Sequence, residues 1–266
     1  MASNNSPDSK TESSEKDMPL MAHLVELRDR LLRCVTVVGL VFIVLAIFAN
    51  RLYELLSIPL TNNLPADSQQ VAIGVISPFL APLKLAFVTS VFIAIPVILH
   101  QAWAFVSPGL YAKEKKFAFP LLFSSVFLFY AGIAFAYLVI LPILFKFLPS
   151  IAPAGVTYMP DISSYLDVSI KLFFAFGLAF QVPIVTLLLI WSGISSVEAL
   201  AAKRPYIVVG AFVFGMLLTP PDVISQTLLA LPMWLLFEVG LIFGKMFPKQ
   251  ANAEQELPKA EHENNS

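Results

Sequence analysis

Long apolar runs alternate with short polar segments along this chain. Runs of this length predict membrane-spanning helices, because about 20 consecutive apolar residues cross the hydrocarbon core of a bilayer. We predict six spans, at residues 31–50, 78–103, 117–140, 168–191, 206–219 and 223–243. The fifth span has about 14 residues, or roughly 21 Å of helix, and we expect bilayer thinning or neighbouring helices to compensate for its shortness.

Prolines interrupt several of these runs. Pro82 and Pro96 are expected to break the second span, and Pro183 next to Gln181 the fourth. The apolar character of the third span continues beyond residue 140 to Leu148. The segments 51–76 and 149–167 hold further prolines and polar residues, and we predict that both are loops outside the membrane.

An amphipathic stretch at residues 21–33 precedes the first span. Leucines at positions 20, 24, 27 and 31 recur at helical spacing and predict an apolar stripe on one helix face. Glu26, Arg30 and Arg33 lie on another face, where Glu26 and Arg30 have the i,i+4 spacing of an ion pair. The simplest interpretation is a juxtamembrane helix with ordinary intrahelical ion pairs.

The composition supports a polytopic all-α membrane protein. Of the 266 residues 58% are hydrophobic and only 13% are charged, and the mean hydropathy is +0.78. A soluble protein carries about twice that charged fraction. The net charge of −1 gives no indication of a nucleic-acid partner. Residues 1–17 and 247–266 are predicted to be disordered tails on either side of one membrane domain, residues 18–246.

The positive charges fall mainly on one side of the predicted topology. If the N-terminus is cytoplasmic, thirteen Lys and Arg residues lie on that side and only Arg51 and Lys146 lie on the other, with Lys84 and Lys171 inside span boundaries. Positively charged loops remain in the cytoplasm. The sequence therefore predicts that both termini are cytoplasmic.

Few residues suggest catalysis or cofactor binding. The three histidines, His23, His100 and His262, lack a second ligand at metal spacing, and no phosphate-binding loop or nucleophile motif is present. We expect no enzyme activity, no metal and no cofactor. The single cysteine, Cys34, lies in the first apolar run and is read as a buried small hydrophobe.

Polar groups at membrane depth are costly, and by default they indicate a functional site. Lys84 is near one end of span 2, where its ammonium can snorkel to the interface. Gln181 suits an interhelical hydrogen bond, and Glu238 suits a helix that faces a wet cavity. Asp222 follows two prolines and is placed to cap the last span.

Two acids differ from these because they lie at span ends among basic residues. Glu26 precedes span 1 and Glu114 precedes span 3, both on the predicted cytoplasmic side. A pair of carboxylates at a membrane surface suits a ligand with two arginines, since each carboxylate can bind a guanidinium bidentately.

Four segments resemble one known family. HLVELRDRLL (23–32), WAFVSPGLYAKEKK (103–116), FGLAFQVP (176–183) and GMLLTPPDVISQTLLALPMWLLFEVG (215–240) are similar to TatC, the polytopic subunit of the twin-arginine protein translocase. The resemblance extends over about residues 18–246. It implies a six-helix concave bundle with two short final helices, in agreement with the predicted spans.

The resemblance also implies a set of site residues. Glu26 and Glu114 would contact the paired arginines of a signal peptide, with Arg28, Leu31 and Phe105 in the neighbouring recognition surface. Pro59 and Asp222 match family positions in the first and last outer loops. Gln181 stands where the family often has a glutamate, so a titratable group is absent there.

The resemblance implies a receptor in the bacterial cytoplasmic (inner) membrane. It would bind twin-arginine signal peptides, recruit single-span subunits that resemble TatA and TatB, and act within a multimeric complex, in contact with membrane lipid and driven by the proton motive force. Two alternatives remain open. One is a small-solute or proton-coupled transporter that uses Lys84, Gln181 and Glu238, and the other is a lipid- or assembly-factor scaffold with no substrate site.

Overall fold

The computed structural model describes residues 11–62, 69–106, 115–150, 158–218 and 223–246, and within them it contains ten α-helices. Glu114 and Asp222 lie outside these residues. The helices are α1 (Thr11–Ile47), α2 (Ala49–Thr61), α3 (Ser77–Val106), α4 (Lys115–Phe135), α5 (Leu141–Ser150), α6 (Ile162–Ala179), α7 (Val182–Trp191), α8 (Val197–Ala202), α9 (Arg204–Leu218) and α10 (Val223–Met246).

Five helical segments in this part of the chain are long and apolar enough to cross a membrane. They are Leu24–Ile47, Ser77–Phe105, Pro120–Ser150, Ile162–Trp191 and Gln226–Met246. A shorter apolar helix, Arg204–Met216, takes the place of the predicted short fifth span. The predicted all-α fold with six apolar segments is confirmed.

The chain alternates between two ends of the bundle. We call them the Glu26 end, where α3, α7 and α10 finish, and the Pro59 end, which holds α2 and the starts of α3 and α6. At the Pro59 end, the backbone of Val71 forms a short parallel bridge with that of Asp161. The Val71 N–H donates to the Pro160 carbonyl at 3.1 Å, and the Ile162 N–H donates to the Val71 carbonyl at 2.9 Å.

Two expectations about interruptions are wrong. Residues 51–61 are helical as part of α2, although they lie in the predicted loop, and the chain turns between α1 and α2 at Phe48 rather than after residue 50. Helix α3 continues through both Pro82 and Pro96. Prolines are tolerated in membrane helices where other groups satisfy the backbone carbonyls that they leave without a donor.

Tyrosine hydroxyls supply such donors at two prolines. Pro96 has no N–H for the carbonyl of Phe92, and the Tyr130 hydroxyl donates to that oxygen at 3.0 Å. Pro59 likewise has no N–H for the carbonyl of Leu55, which accepts from the Tyr137 hydroxyl at 2.6 Å. The chain therefore keeps both helices intact at positions where proline removes an intrahelical bond.

Aromatic side chains and close helix crossings form the core. Phe176 and Leu172 of α6 are fully buried, and they belong to a cluster that also includes Phe129 of α4 and Phe92 of α3. Gly132 of α4 faces the backbone of Phe176, so α4 and α6 approach more closely than a larger residue would allow. At the predicted interruption of span 4, the chain turns at Phe180 and Gln181 between α6 and α7.

Candidate functional site

The Glu26 end brings together α1 and the last turns of α3. Arg30 donates to Oε1 of Glu26 through Nε at 3.0 Å and Nη2 at 2.5 Å, which confirms the expected i,i+4 pair. The same guanidinium reaches α3, where it donates to the Ala104 carbonyl at 3.2 Å and to Gln101 Oε1 at 3.3 Å. Arg30 therefore does more than form an ordinary intrahelical ion pair, because it also joins α1 to α3.

The burial of this pair is uneven. The Arg30 side chain is 19% exposed, whereas that of Glu26 is 40% exposed. The cation is thus largely covered, and the carboxylate remains reachable from the end of the bundle. A carboxylate held by a fixed guanidinium keeps one orientation, which is a requirement for binding a second charged group selectively.

The other residues predicted for recognition lie in α1 and near the end of α3. Arg28 pairs with its neighbour Asp29 at 2.9 Å on the exposed side of α1, and Leu31 is 61% exposed. Phe105 is half-buried and directly follows Ala104, the residue whose carbonyl accepts from Arg30. Glu114, the second predicted acid, lies outside the described residues, so its proximity to Glu26 stays a prediction.

Lys84 and Glu238, two of the polar residues singled out at membrane depth, each have a charged partner in another helix. Lys84 Nζ lies 2.5 Å from Asp167 Oδ1, and Glu238 binds Arg204 bidentately at 2.6 and 2.8 Å. The predictions of a snorkelling Lys84 and of Glu238 at a wet cavity did not include these partners. The partners are 83 and 34 residues away in sequence, and no local pattern signals such pairs.

Gln181 forms the interhelical hydrogen bond that its position suggests. Its Nε2 donates to the Ser125 carbonyl at 2.9 Å, joining the turn between α6 and α7 to α4. The three groups proposed for a small-solute transporter, Lys84, Gln181 and Glu238, thus contact different partners. Within the part of the chain that the structure describes, no group of three or more His, Cys, Asp or Glu side chains could hold a metal.

The Pro59 end is built around Pro59 and Asp161. Pro59 is buried in α2, and the Tyr165 hydroxyl donates to the Leu56 carbonyl in the same helix. Asp161 caps α6, and it accepts from the backbone N–H of Ile73 at 3.2 Å and from that of Ser164 at 3.0 Å. Both bonds lower the pKa of the Asp161 carboxyl, and the bond from Ile73 has the larger effect.

Known proteins resemble this chain over most of its length. The family model for Sec-independent protein translocase protein (TatC) matches residues 22–232. The TatC protein of Azotobacter chroococcum mcd 1 is 59% identical over 231 residues, which are 87% of this chain and 91% of that relative. The TatC protein of Escherichia coli (strain K12) is 51% identical over 244 residues, 92% of this chain and 95% of that relative.

A solved structure has the same fold. The crystal structure of a twin-arginine translocase receptor, TatC, matches with a TM-score of 0.75 at 35% identity, and the match covers 84% of this chain and 98% of that one. The two relatives are named translocase proteins, and the protein of the solved structure is named a receptor. From the family model, the identities and the shared fold together, we conclude that this chain belongs to the TatC family of Sec-independent protein translocase proteins.

Proposed function

We propose that this chain is the receptor subunit of a twin-arginine translocase and that its Glu26 end binds the paired arginines of signal peptides. In this proposal the Glu26 end faces the cytoplasm of a bacterial inner membrane. The chain binds rather than catalyses, and it acts with single-span subunits that resemble TatA and TatB. The proton motive force drives passage of the folded cargo.

The Glu26 carboxylate carries this proposal. It is partly exposed at an end of the bundle, and Arg30 holds it against the last turns of α3. Arg30 shows directly that this carboxylate accepts a guanidinium through two nitrogens. An arginine of a signal peptide would either add to this pair or displace Arg30 from it, and charge-assisted bonds of this kind favour the planar guanidinium over an ammonium.

The second arginine is assigned to Glu114. This acid lies close after α3 in sequence and immediately before α4, beside Lys113, Lys115 and Lys116. The neighbouring Phe105 and exposed Leu31 offer apolar surface for the hydrophobic part of a signal peptide. We expect both acids to line one receptor surface.

Peptide binding tests the assignment. The full chain in lipid nanodiscs is incubated with a synthetic signal peptide that carries either two consecutive arginines or two lysines. We expect Glu26→Gln to weaken binding of the diarginine peptide by about tenfold or more, because it leaves the arginine without its charged partner. The matched control is Glu198→Gln, which neutralises another exposed acid at the same end of the bundle.

Crosslinking in native membranes tests the second acid. Photo-reactive probes placed beside positions 26 and 114 should both crosslink the diarginine peptide and not the dilysine peptide. Glu114→Ala should abolish export of twin-arginine cargo without preventing membrane insertion. Normal binding by Glu26→Gln, or equal binding of the two peptides, would contradict the proposed site and leave the family assignment intact.

A further inference from the structure

An open groove of about 500 Å³ lies towards the Pro59 end, away from the receptor site. Three helices line it: α1 contributes Phe42, α3 contributes Leu80 and Phe87, and α6 contributes Leu166. Phe42 and Phe87 meet edge to face, with ring centroids 5.7 Å apart. Most of the lining is therefore apolar and belongs to helices that span the membrane.

Two opposite charges complete the lining. Lys84 of α3 and Asp167 of α6 meet with 2.5 Å between Nζ and Oδ1, and their side chains are 54% and 47% exposed. An ion pair that only joins two membrane helices is usually more deeply buried than Lys84 and Asp167 are. Contact with lipid would leave the remaining hydrogen-bonding positions of the ammonium and the carboxylate unsatisfied. Half of each charged side chain instead faces the surroundings of the bundle.

The position of the pair along its two helices indicates which part of the bilayer it faces. Lys84 is about 10 Å along the helix axis from the middle of the span Ser77–Phe105, and Asp167 is about 14 Å from the middle of Ile162–Trp191. The hydrocarbon core ends about 15 Å from the bilayer centre. The pair therefore lies just inside the boundary where lipid headgroups begin, with the apolar part of the groove beside it.

The charges match one class of lipid headgroup. An ammonium has three donors and a carboxylate about four acceptor positions, so the Lys84–Asp167 bond leaves capacity on both groups. A zwitterionic headgroup carries a phosphate for Lys84 and a cation for Asp167. The cation of ethanolamine is a primary ammonium that donates hydrogen bonds, whereas the quaternary cation of choline cannot.

We propose that this groove is a binding site for a phospholipid with an ethanolamine headgroup. Its phosphate accepts from Lys84, its ammonium donates to Asp167, and an acyl chain lies along Phe42, Phe87 and Leu166. The site lies on a different part of the bundle from Glu26, so it goes beyond the receptor function and stands or falls independently of it.

Native mass spectrometry of the full-length chain in detergent tests the proposal. The protein is incubated with equimolar dioleoyl phosphatidylethanolamine, phosphatidylcholine and phosphatidylglycerol, and the retained lipids are counted. We expect the ethanolamine lipid to be retained about tenfold over the choline lipid, the usual effect of one hydrogen bond to a charged group. The glycerol lipid, which has no cation for Asp167, should also be retained less.

The two charges predict different variant patterns. Asp167→Asn should lower the preference for ethanolamine over choline severalfold while phosphate binding persists, because an amide oxygen accepts from the ammonium without the charge of a carboxylate. Asp167→Glu should restore the preference. Lys84→Gln should reduce retention of both lipids. The matched control is Lys171→Gln, which changes an exposed lysine of α6 outside the groove.

Equal retention of the ethanolamine and choline lipids by the unaltered protein would overturn the proposal. So would a preference that Asp167→Asn leaves unchanged, since the selectivity would then arise elsewhere. Thermal unfolding in lipid-free detergent is measured for each variant. Asp167→Glu keeps the test valid if Asp167→Asn fails to fold, because it retains the ion pair and must retain the preference. Diarginine peptide binding should be unchanged in all these variants.

Discussion

Arg30 is the residue on which the geometry of the Glu26 end depends. It is largely buried, it binds Glu26 on its own helix, and it donates to the Ala104 carbonyl near the end of α3. The last carbonyls of a helix have no intrahelical donor, so a cation at this position satisfies one of them and interacts favourably with the helix dipole. Arg30 therefore fixes the acid that is proposed to bind substrate and the helix that ends beside it.

Replacing Arg30 by lysine tests whether the contacts of the guanidinium, and not only its positive charge, position Glu26. A lysine keeps the positive charge, but its single ammonium cannot contact Glu26, Gln101 and Ala104 as the guanidinium does. We expect Arg30→Lys to weaken diarginine peptide binding two- to tenfold, or about 1 kcal/mol. Arg33→Lys, on the exposed surface of the same helix, is the matched control. Peptide titration measures both, and unchanged affinity in Arg30→Lys would contradict a positioning role.

Sequence spacing predicts polar contacts within one helix and misses those between helices. The Glu26–Arg30 pair follows from i,i+4 geometry, which the helix itself fixes. The Lys84–Asp167 pair requires the rotation and depth of two helices, and helices that are apolar on nearly all sides give no periodic signal for either. The sequence thus identifies Lys84 as an unusual residue without identifying its partner.

At the scale of helices, proline and tyrosine act together at the Pro59 end. Pro59 leaves the carbonyl of Leu55 without its intrahelical donor, and the Tyr137 hydroxyl takes that place at 2.6 Å. Tyr137 itself lies in the π-helical segment Ala136–Ile140, which precedes Pro142. Short π segments rotate the side chains that follow them, and they occur often where a side chain must be redirected.

A double-mutant cycle tests this pairing. Tyr137→Phe should lower the free energy of unfolding by about 1 kcal/mol, because the Leu55 carbonyl loses its donor. In a Pro59→Ala background the same change should cost less, since the restored backbone N–H can donate to Leu55. Tyr206→Phe, which removes an exposed hydroxyl on α9, is the matched control. Thermal unfolding in detergent measures all four combinations, and additive effects would contradict the coupling.

The close crossing of α4 and α6 requires a glycine at position 132 of α4. A Cβ atom added at Gly132 would lie 2.9 Å from the carbonyl carbon of Phe176, which is backbone and cannot move aside as a side chain could. The sequence shows this glycine within a span but gives no reason for it. That reason lies in the partner helix, so only the packed structure supplies it.

Gly132→Ala should therefore destabilise the bundle by about 1–3 kcal/mol, the usual cost of overpacking. Gly39→Ala is the matched control, because a Cβ atom there meets nothing within 4 Å and alanine favours the helix. The midpoint of thermal unfolding in detergent should fall for the first variant and stay the same or rise for the second. Equal midpoints would show that α4 and α6 separate without strain.

At the scale of the whole molecule, the sequence predicts that most Lys and Arg residues fall on one side of the membrane domain. The polar interactions at each end then connect segments that are distant along the chain: Arg30 joins α1 to α3, and Asp161 joins the start of α6 to the backbone of Ile73. Hydropathy identifies the spans because the bilayer imposes their length. The sequence does not predict the turn at Phe48, because no glycine or proline marks it. It does not predict α2 either, because that helix is too polar and too short to resemble a span.

The orientation of these ends in the membrane determines whether the receptor proposal is physically possible, since signal peptides approach from the cytoplasm. In a Cys34→Ser background, Glu54→Cys and Glu198→Cys place one thiol at an exposed position on each end. A membrane-impermeant maleimide should label position 54 in spheroplasts and position 198 only in inside-out vesicles, because thirteen Lys and Arg residues favour the cytoplasm for the Glu26 end. Labelling of position 198 in spheroplasts would put Glu26 on the outer side, where it could not meet a cytoplasmic signal peptide. The lipid groove would then lie in the inner leaflet, and its headgroup preference would remain testable.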